Sequence, residues 1–203
     1  MIEEIKLGNH ITIHKTNLNF IDNSKLVDNL MLSRQIAKDV SNSKLNKTNP
    51  GTQYIQCVNS DIINNLRNKI VECMFKIVDN PRYYHTHEWV FISENINTLT
   101  GYHTHTNEST YRIINQLPDY TITYYAQMPD NLDGNDGHLS FKDVDNNEFS
   151  ILPKEGDLII FKANILHKAE TNLKSKKDRI VFCTNFTFLD LNKKYIKNQN
   201  TLI

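Results

Sequence analysis

Arg179-Ile180-Val181-Phe182-Cys183-Thr184-Asn185-Phe186 reads as a β-strand, and it decides the fold because a charged residue begins it. Successive side chains of a strand alternate between its two faces, so Arg179, Val181, Cys183 and Asn185 share one side. If that side faces inward, a guanidinium stands inside a β-structure and needs an anionic partner. A planar guanidinium pairs bidentately with a carboxylate, and a dicarboxylate would supply that partner.

Working outward, the chain from Trp89 onward consists of short β-type runs: Trp89 to Ser93, Thr121 to Gln127, His138 to Phe141, Asp157 to Phe161, and Arg179 to Phe188. Turn-formers separate them, at Asp133-Gly134, Asp136-Gly137, Asn146-Asn147 and Lys154-Glu155-Gly156. The N-terminal part has helical periodicity instead. Leu26, Val27, Leu30, Met31, Ile36 and Val40 follow a cap at Ser24, and Ile62, Ile63, Leu66, Ile70, Cys73, Met74 and Ile77 follow one at Ser60, ending near Asn80-Pro81. The polar stretch Ser41 to Gln53 reads as a loop between the two helices. Two amphipathic helices followed by many short strands predict a mainly β fold: a double-stranded β-helix, or jelly roll, with the N-terminal helices packed on one sheet. We expect a single domain over 1–203, with helical support over about 1–85, a jelly-roll core over about 86–190, and a flexible tail over Asn192 to Ile203.

Bulk composition excludes several function classes. Lys plus Arg and Asp plus Glu are equal at 23 each, so no global positive field exists to gather the chain onto nucleic acid or anionic lipid. Nothing approaches the ~20 apolar residues of a membrane span. Cys57, Cys73 and Cys183 are widely spaced with no C-x-x-C pair, as reduced, packed thiols would be. The expectation is a soluble cytoplasmic protein without general nucleic-acid or membrane partners.

The chemistry centres on His103-Thr104-His105 and His167. On an extended segment His103 and His105 project to one side, and His167 can join them from a neighbouring strand. Iron, manganese and zinc all accept imidazole, and a facial set of three ligands leaves coordination positions open for substrate and oxygen. A second pair, His85-Thr86-His87-Glu88, repeats the spacing and reads as surface or supporting residues. Trp89, Phe91 and Phe141 read as core, and the Lys174 to Lys177 run as a solvated loop.

An ordered series accompanies the histidines: Thr123-Tyr124-Tyr125-Ala126, Asp136-Gly137-His138-Leu139-Ser140-Phe141, Leu152-Pro153-Lys154-Glu155-Gly156-Asp157-Leu158-Ile159-Ile160-Phe161, then His167 and Arg179. In this order the chain resembles the iron- and 2-oxoglutarate-dependent oxygenases, close in pattern to small phage and bacterial members and to prolyl-hydroxylase-like proteins. The resemblance implies that His103 and His167 bind Fe(II), and that Arg179 binds the distal carboxylate of 2-oxoglutarate with help from the Tyr125 hydroxyl. Cys183 and Asn185 would line the pocket beside Arg179. It further implies that O2 is consumed in hydroxylating a polypeptide side chain or small metabolite.

The family pattern places Asp or Glu two residues after the first histidine, where this chain has His105. Either His105 is the second ligand, or His105 is the first and Asn107 or Glu108 lies near the carboxylate position. Two further readings compete: a cupin, whose first motif also begins His-x-His, and a non-catalytic sensor that binds metal and 2-oxoglutarate without turnover.

Overall fold

The computed structural model describes residues 1–40, 52–55, 58–78, 84–93, 101–106, 116–170 and 175–189. In chain order the elements are β1 (Glu3–Leu7), β2 (Ile11–Asn17), α1 (Asn23–Val40), β3 (Thr52–Ile55), α2 (Asp61–Ile77), β4 (Tyr84–Ser93), β5 (Tyr120–Gln127), β6 (Leu139–Lys142), β7 (Glu148–Ile151), β8 (Asp157–Lys162), β9 (Leu166–Ala169) and β10 (Arg179–Phe188). A seven-stranded sheet runs β1-β2-β8-β5-β10-β4-β3, and a three-stranded sheet runs β7-β6-β9. Every pairing is antiparallel. The helices lie on one face of the large sheet and the small sheet faces the other, which is the expected mainly β jelly-roll arrangement with helices on one sheet.

Both faces of the large sheet are covered, and strict alternation sorts its side chains. Val90, Ile92, Ile122, Tyr124, Leu158, Ile160, Ile180 and Phe182 pack against α1 and α2. Their neighbours Trp89, Phe91, Tyr125, Ile159, Phe161, Val181 and Cys183 pack between the sheets. Tyr124 and Tyr125 illustrate the split, since Tyr124 donates its hydroxyl to Asn23 Oδ1 at 2.6 Å on the helical side while Tyr125 turns into the inter-sheet space. Phe141 from the small sheet meets Phe161 from the large one edge to face, with ring centroids 5.2 Å apart.

The helical stripe on α2 is buried as its spacing predicts, through Ile63, Leu66, Ile70, Cys73 and Met74. Burying each of the larger apolar side chains contributes about 1.5–3 kcal/mol. Arg67 on the same helix forks onto Glu88 of β4, donating from Nε at 3.1 and 3.0 Å and from Nη2 at 2.8 Å. This fork fixes α2 against the sheet. Ser60 occupies the cap position with extended φ −144° and ψ 161° but makes no side-chain capping bond. The cap of α1 is Asp22 rather than Ser24. Asp22 Oδ1 accepts the Lys25 backbone N–H at 3.2 Å, and Ser24 is already inside the helix.

Several strands lie outside the sequence-based runs. β1 and β2 form a hairpin that adds to β8, burying Ile11 and Ile13 between the sheets. The region 1–85 thus supplies strands as well as helical support. β3 begins at Thr52, so Gln53 belongs to a strand at the β4 edge, not to the preceding loop. β7 and β9 are four residues each and gain their conformation from pairing with β6. Residues 41–51, Cys57, Asn107, Glu108, Lys174 and Asn192 to Ile203 lie outside the described residues. Among the described residues, no helix is long and apolar enough to cross a membrane.

Candidate functional site

His167 is the second residue of β9, and the segment 101–106 lies against that strand on the side away from β6. His103 and His167 are directly opposed, each backbone N–H donating to the other's carbonyl at 3.0 Å. Opposed residues of an antiparallel bridge send their side chains to the same face, so the two imidazoles come together. His105, two residues on, follows them, its N–H held by the Ala163 carbonyl at 2.9 Å. Ring centroids lie 4.5 Å apart for His103 and His167, 4.9 Å for His105 and His167, and 5.3 Å for His103 and His105. One ligand atom from each lies within 4.8 Å of the others.

Each ring has one nitrogen already committed. His103 Nδ1 contacts the Gly101 carbonyl at 2.9 Å, and His167 Nδ1 contacts the Ile165 carbonyl at 2.9 Å. A carbonyl only accepts, so both Nδ1 atoms carry the proton, and in the neutral ring the lone pair is then on Nε2. His105 Nδ1 lies 2.8 Å from Asn185 Oδ1, the same arrangement with a side-chain acceptor. Burial, reinforced by the neighbouring His103, holds the His105 pKa down at about 4. Burial, with His105 and His103 beside it, holds His167 at about 3. These two are therefore neutral imidazoles at neutral pH, the form a metal requires. His87 is outside this cluster, tilted against Trp89 at 5.9 Å, and Glu88 is committed to Arg67. Among the described residues no carboxylate joins the three histidines.

The cluster borders a cavity between the sheets whose walls include His103, His105, His167, Tyr125, Cys183 and Arg179. Arg179 is 1% exposed, and its Nε and Nη2 have no hydrogen-bond partner. Its guanidinium sits 5.6 Å over the Phe91 ring. Desolvation lowers its pKa from the ordinary arginine value, so the charge is retained at a cost that an anion would remove. Burial raises the Tyr125 phenol, opposed by the nearby Arg179, and raises the Cys183 thiol in the same way. Both groups stay protonated, and the phenol can donate to an anion.

Arg179, Tyr125 and Cys183 thus stand together, but Asn185 does not line the cavity beside them. It lies one strand repeat further along β10, under His105. Sequence reasoning gave no site role to Thr121 or Thr123, which share the Tyr125 face of β5 by alternation and line the cavity. The same alternation would have found them. Trp89 and Phe91 are core as expected, but they also floor the site: Trp89 stacks on His105 with centroids 5.3 Å apart.

The donor set suits a divalent metal. Three free imidazole lone pairs converge, each fixed by an acceptor at its other nitrogen. The orphaned, buried guanidinium in the same cavity suits a carboxylate.

No family model and no curated protein matches the sequence. Solved structures do match. A viral collagen prolyl hydroxylase from Paramecium bursaria Chlorella virus-1, crystallised as a 2-oxoglutarate complex, superposes with TM-score 0.63 at 15% identity, covering 90% of this chain and 98% of its own. A Trichoplax adhaerens prolyl hydroxylase in complex with a hypoxia inducible factor peptide fragment gives 0.62 at 13% identity, covering 87% and 83%. A Pseudomonas putida prolyl-4-hydroxylase gives 0.55 at 10% identity, covering 88% and 93%. At these identities the likeness is one of architecture, and it spans nearly the whole chain: the protein has the fold of the prolyl hydroxylases.

Proposed function

We propose that the protein is an Fe(II)- and 2-oxoglutarate-dependent dioxygenase that hydroxylates an unactivated C–H bond of a polypeptide side chain or small metabolite. The observation that carries this is a cavity with three metal-ready imidazoles and, in the same lining, a buried guanidinium lacking an anion. His103, His105 and His167 would hold the iron. Arg179 would bind the far carboxylate of 2-oxoglutarate bidentately, and Tyr125 would donate its hydroxyl to the same group. Cys183 would fill the wall beside them.

When bound, iron and O2 supply the oxidising chemistry, with 2-oxoglutarate decarboxylated to succinate. The chain's own work is positional. Arg179 and Tyr125 orient the cosubstrate so that its oxo-acid end points toward the histidines. Trp89, Phe91, Val181 and Leu139 keep the cavity apolar, which excludes water from the reacting centre. Three neutral ligands leave the metal one positive charge higher than two histidines and a carboxylate would, which strengthens its hold on an anionic cosubstrate. The peptide complex of the Trichoplax protein supports the polypeptide option for the substrate.

His105 in place of a carboxylate favours one alternative, a module that binds metal and 2-oxoglutarate without turnover. The cupin reading gives Arg179 no task. Anaerobic Fe(II) titration with 2-oxoglutarate decides first: the visible charge-transfer band of the chelate is expected in the wild type and lost in Arg179→Ala. No band in the wild type refutes the proposal. Succinate formation under O2 then separates oxygenase from sensor.

A further inference from the structure

Two histidines of the cluster, His103 and His167, are oriented by their own backbone, whereas His105 is oriented from another strand. His103 Nδ1 uses the carbonyl two residues before it, Gly101, and His167 Nδ1 likewise uses Ile165. The corresponding carbonyl for His105 belongs to His103, and it accepts the His167 backbone N–H at 3.0 Å in the bridge that brings the cluster together. The His105 ring does not turn to that carbonyl but to a side chain of another strand.

That side chain is Asn185. Its Oδ1 lies 2.8 Å from His105 Nδ1 and also receives the Thr121 hydroxyl at 3.1 Å. Asn185 is 3% exposed and Thr121 is 0% exposed, so the arrangement is sheltered from competing water. An amide side chain could present either its oxygen or its nitrogen to the ring. With the nitrogen inward, His105 would need its Nδ1 lone pair for the contact, and the proton would move to Nε2, where it would block a metal. Here the oxygen is inward, where it accepts from the Thr121 hydroxyl as well as from the ring, and both contacts go with the Nδ1–H tautomer.

We infer that Asn185, held by Thr121, is a positioning residue that fixes the metal-binding tautomer of His105. This rests on the proposed metal site and gives Asn185 a task different from lining the oxo-acid pocket. It also ties the metal end of the site to β10, the strand that carries Arg179.

The test is anaerobic Co(II) titration of the full chain, read from the visible ligand-field bands, with the thermal midpoint of each metal-free protein as a folding control. Asn185→Leu removes the acceptor and is expected to weaken Co(II) about 10- to 100-fold. Asn185→Asp keeps an acceptor of the same shape and adds charge, so affinity is expected to rise about tenfold, with shifted bands. Thr121→Val is expected to weaken Co(II) by less than Asn185→Leu does. Affinity in Asn185→Leu within about twofold of wild type overturns the inference, as does an equal loss in Asn185→Leu and Asn185→Asp, which would mark a merely structural role. If Asn185→Leu fails to fold, Asn185→Asp decides: tighter binding upholds the inference, and unchanged or weaker binding overturns it. A wild-type protein that takes up no Co(II) overturns the proposed function and this inference together, whereas wild-type uptake indifferent to position 185 overturns this one alone.

Discussion

Arg179→Met separates what the buried guanidinium costs the empty protein from what it does for a ligand. In the wild type, two of its donor nitrogens are enclosed without partners, and each unsatisfied buried donor costs about 1–3 kcal/mol. Methionine removes both the donors and the charge while retaining an unbranched stem over Phe91. Removing the two unsatisfied donors recovers their desolvation penalty less the packing losses, a net stabilisation of about 1–4 kcal/mol. For a chain of 203 residues each kcal/mol moves the thermal midpoint by about 2–4 °C, so the metal-free variant should melt above the wild type. The ligand response should run the other way. At 2-oxoglutarate one hundredfold over its Kd, with Mn(II) as a redox-quiet metal, the wild type should gain about 2.7 kcal/mol, or about 5–11 °C. Arg179→Met should lose most of that gain. Differential scanning fluorimetry reads both effects in one plate. A ligand-free variant that melts below the wild type would mean that Arg179 is already satisfied by protein groups, and a 2-oxoglutarate shift that survives the substitution would remove it from the carboxylate site.

Further outcomes follow from other contacts. Trp89 is the sole tryptophan and stacks on His105, so Co(II) should quench tryptophan emission where Zn(II) does not. That quenching should vanish in His105→Ala and His167→Ala and persist in His87→Ala; persistence in His167→Ala would move the metal elsewhere. Arg67→Ala breaks the fork onto Glu88 and should cost about 1.5–3 kcal/mol in urea unfolding while leaving Co(II) affinity unchanged. A loss below about 0.5 kcal/mol would show the pair to be an ordinary surface bridge. Gly156 has φ +85°, and an added Cβ would stand 3.2 Å from the Asn17 side chain, so Gly156→Ala should destabilise by about 1–3 kcal/mol. An unchanged unfolding midpoint would mean that the turn relaxes without strain.

Which elements were legible in the sequence follows from how locally each is specified. β10 was readable to its ends because a ten-residue run rich in β-branched and aromatic side chains reads as a strand by itself, and α2 because its apolar stripe repeats over more than four turns. β7 and β9 were not, since four residues hold too little pattern and take their conformation from β6. The β1–β2 hairpin was missed although Ile11 and Ile13 alternate, because two apolar residues among charges do not announce a buried strand until β8 lies beside them. The α1 cap fell on Asp22 instead of Ser24 because both residues are good caps, and the tertiary start of the helix chose between them.

By itself the sequence determined which side chains share a face. Strand alternation is a covalent property of the extended backbone, and it put Arg179 with Cys183, and His103 with His105, before any contact was known. Only the tertiary structure decided what meets across strands: that His167 lies opposite His103, and that Asn185, 80 positions away, supplies the acceptor for the His105 ring. Such contacts depend on the register between segments far apart in the chain, and register is set by packing the two sheets and the helices around a common core rather than by any local stretch.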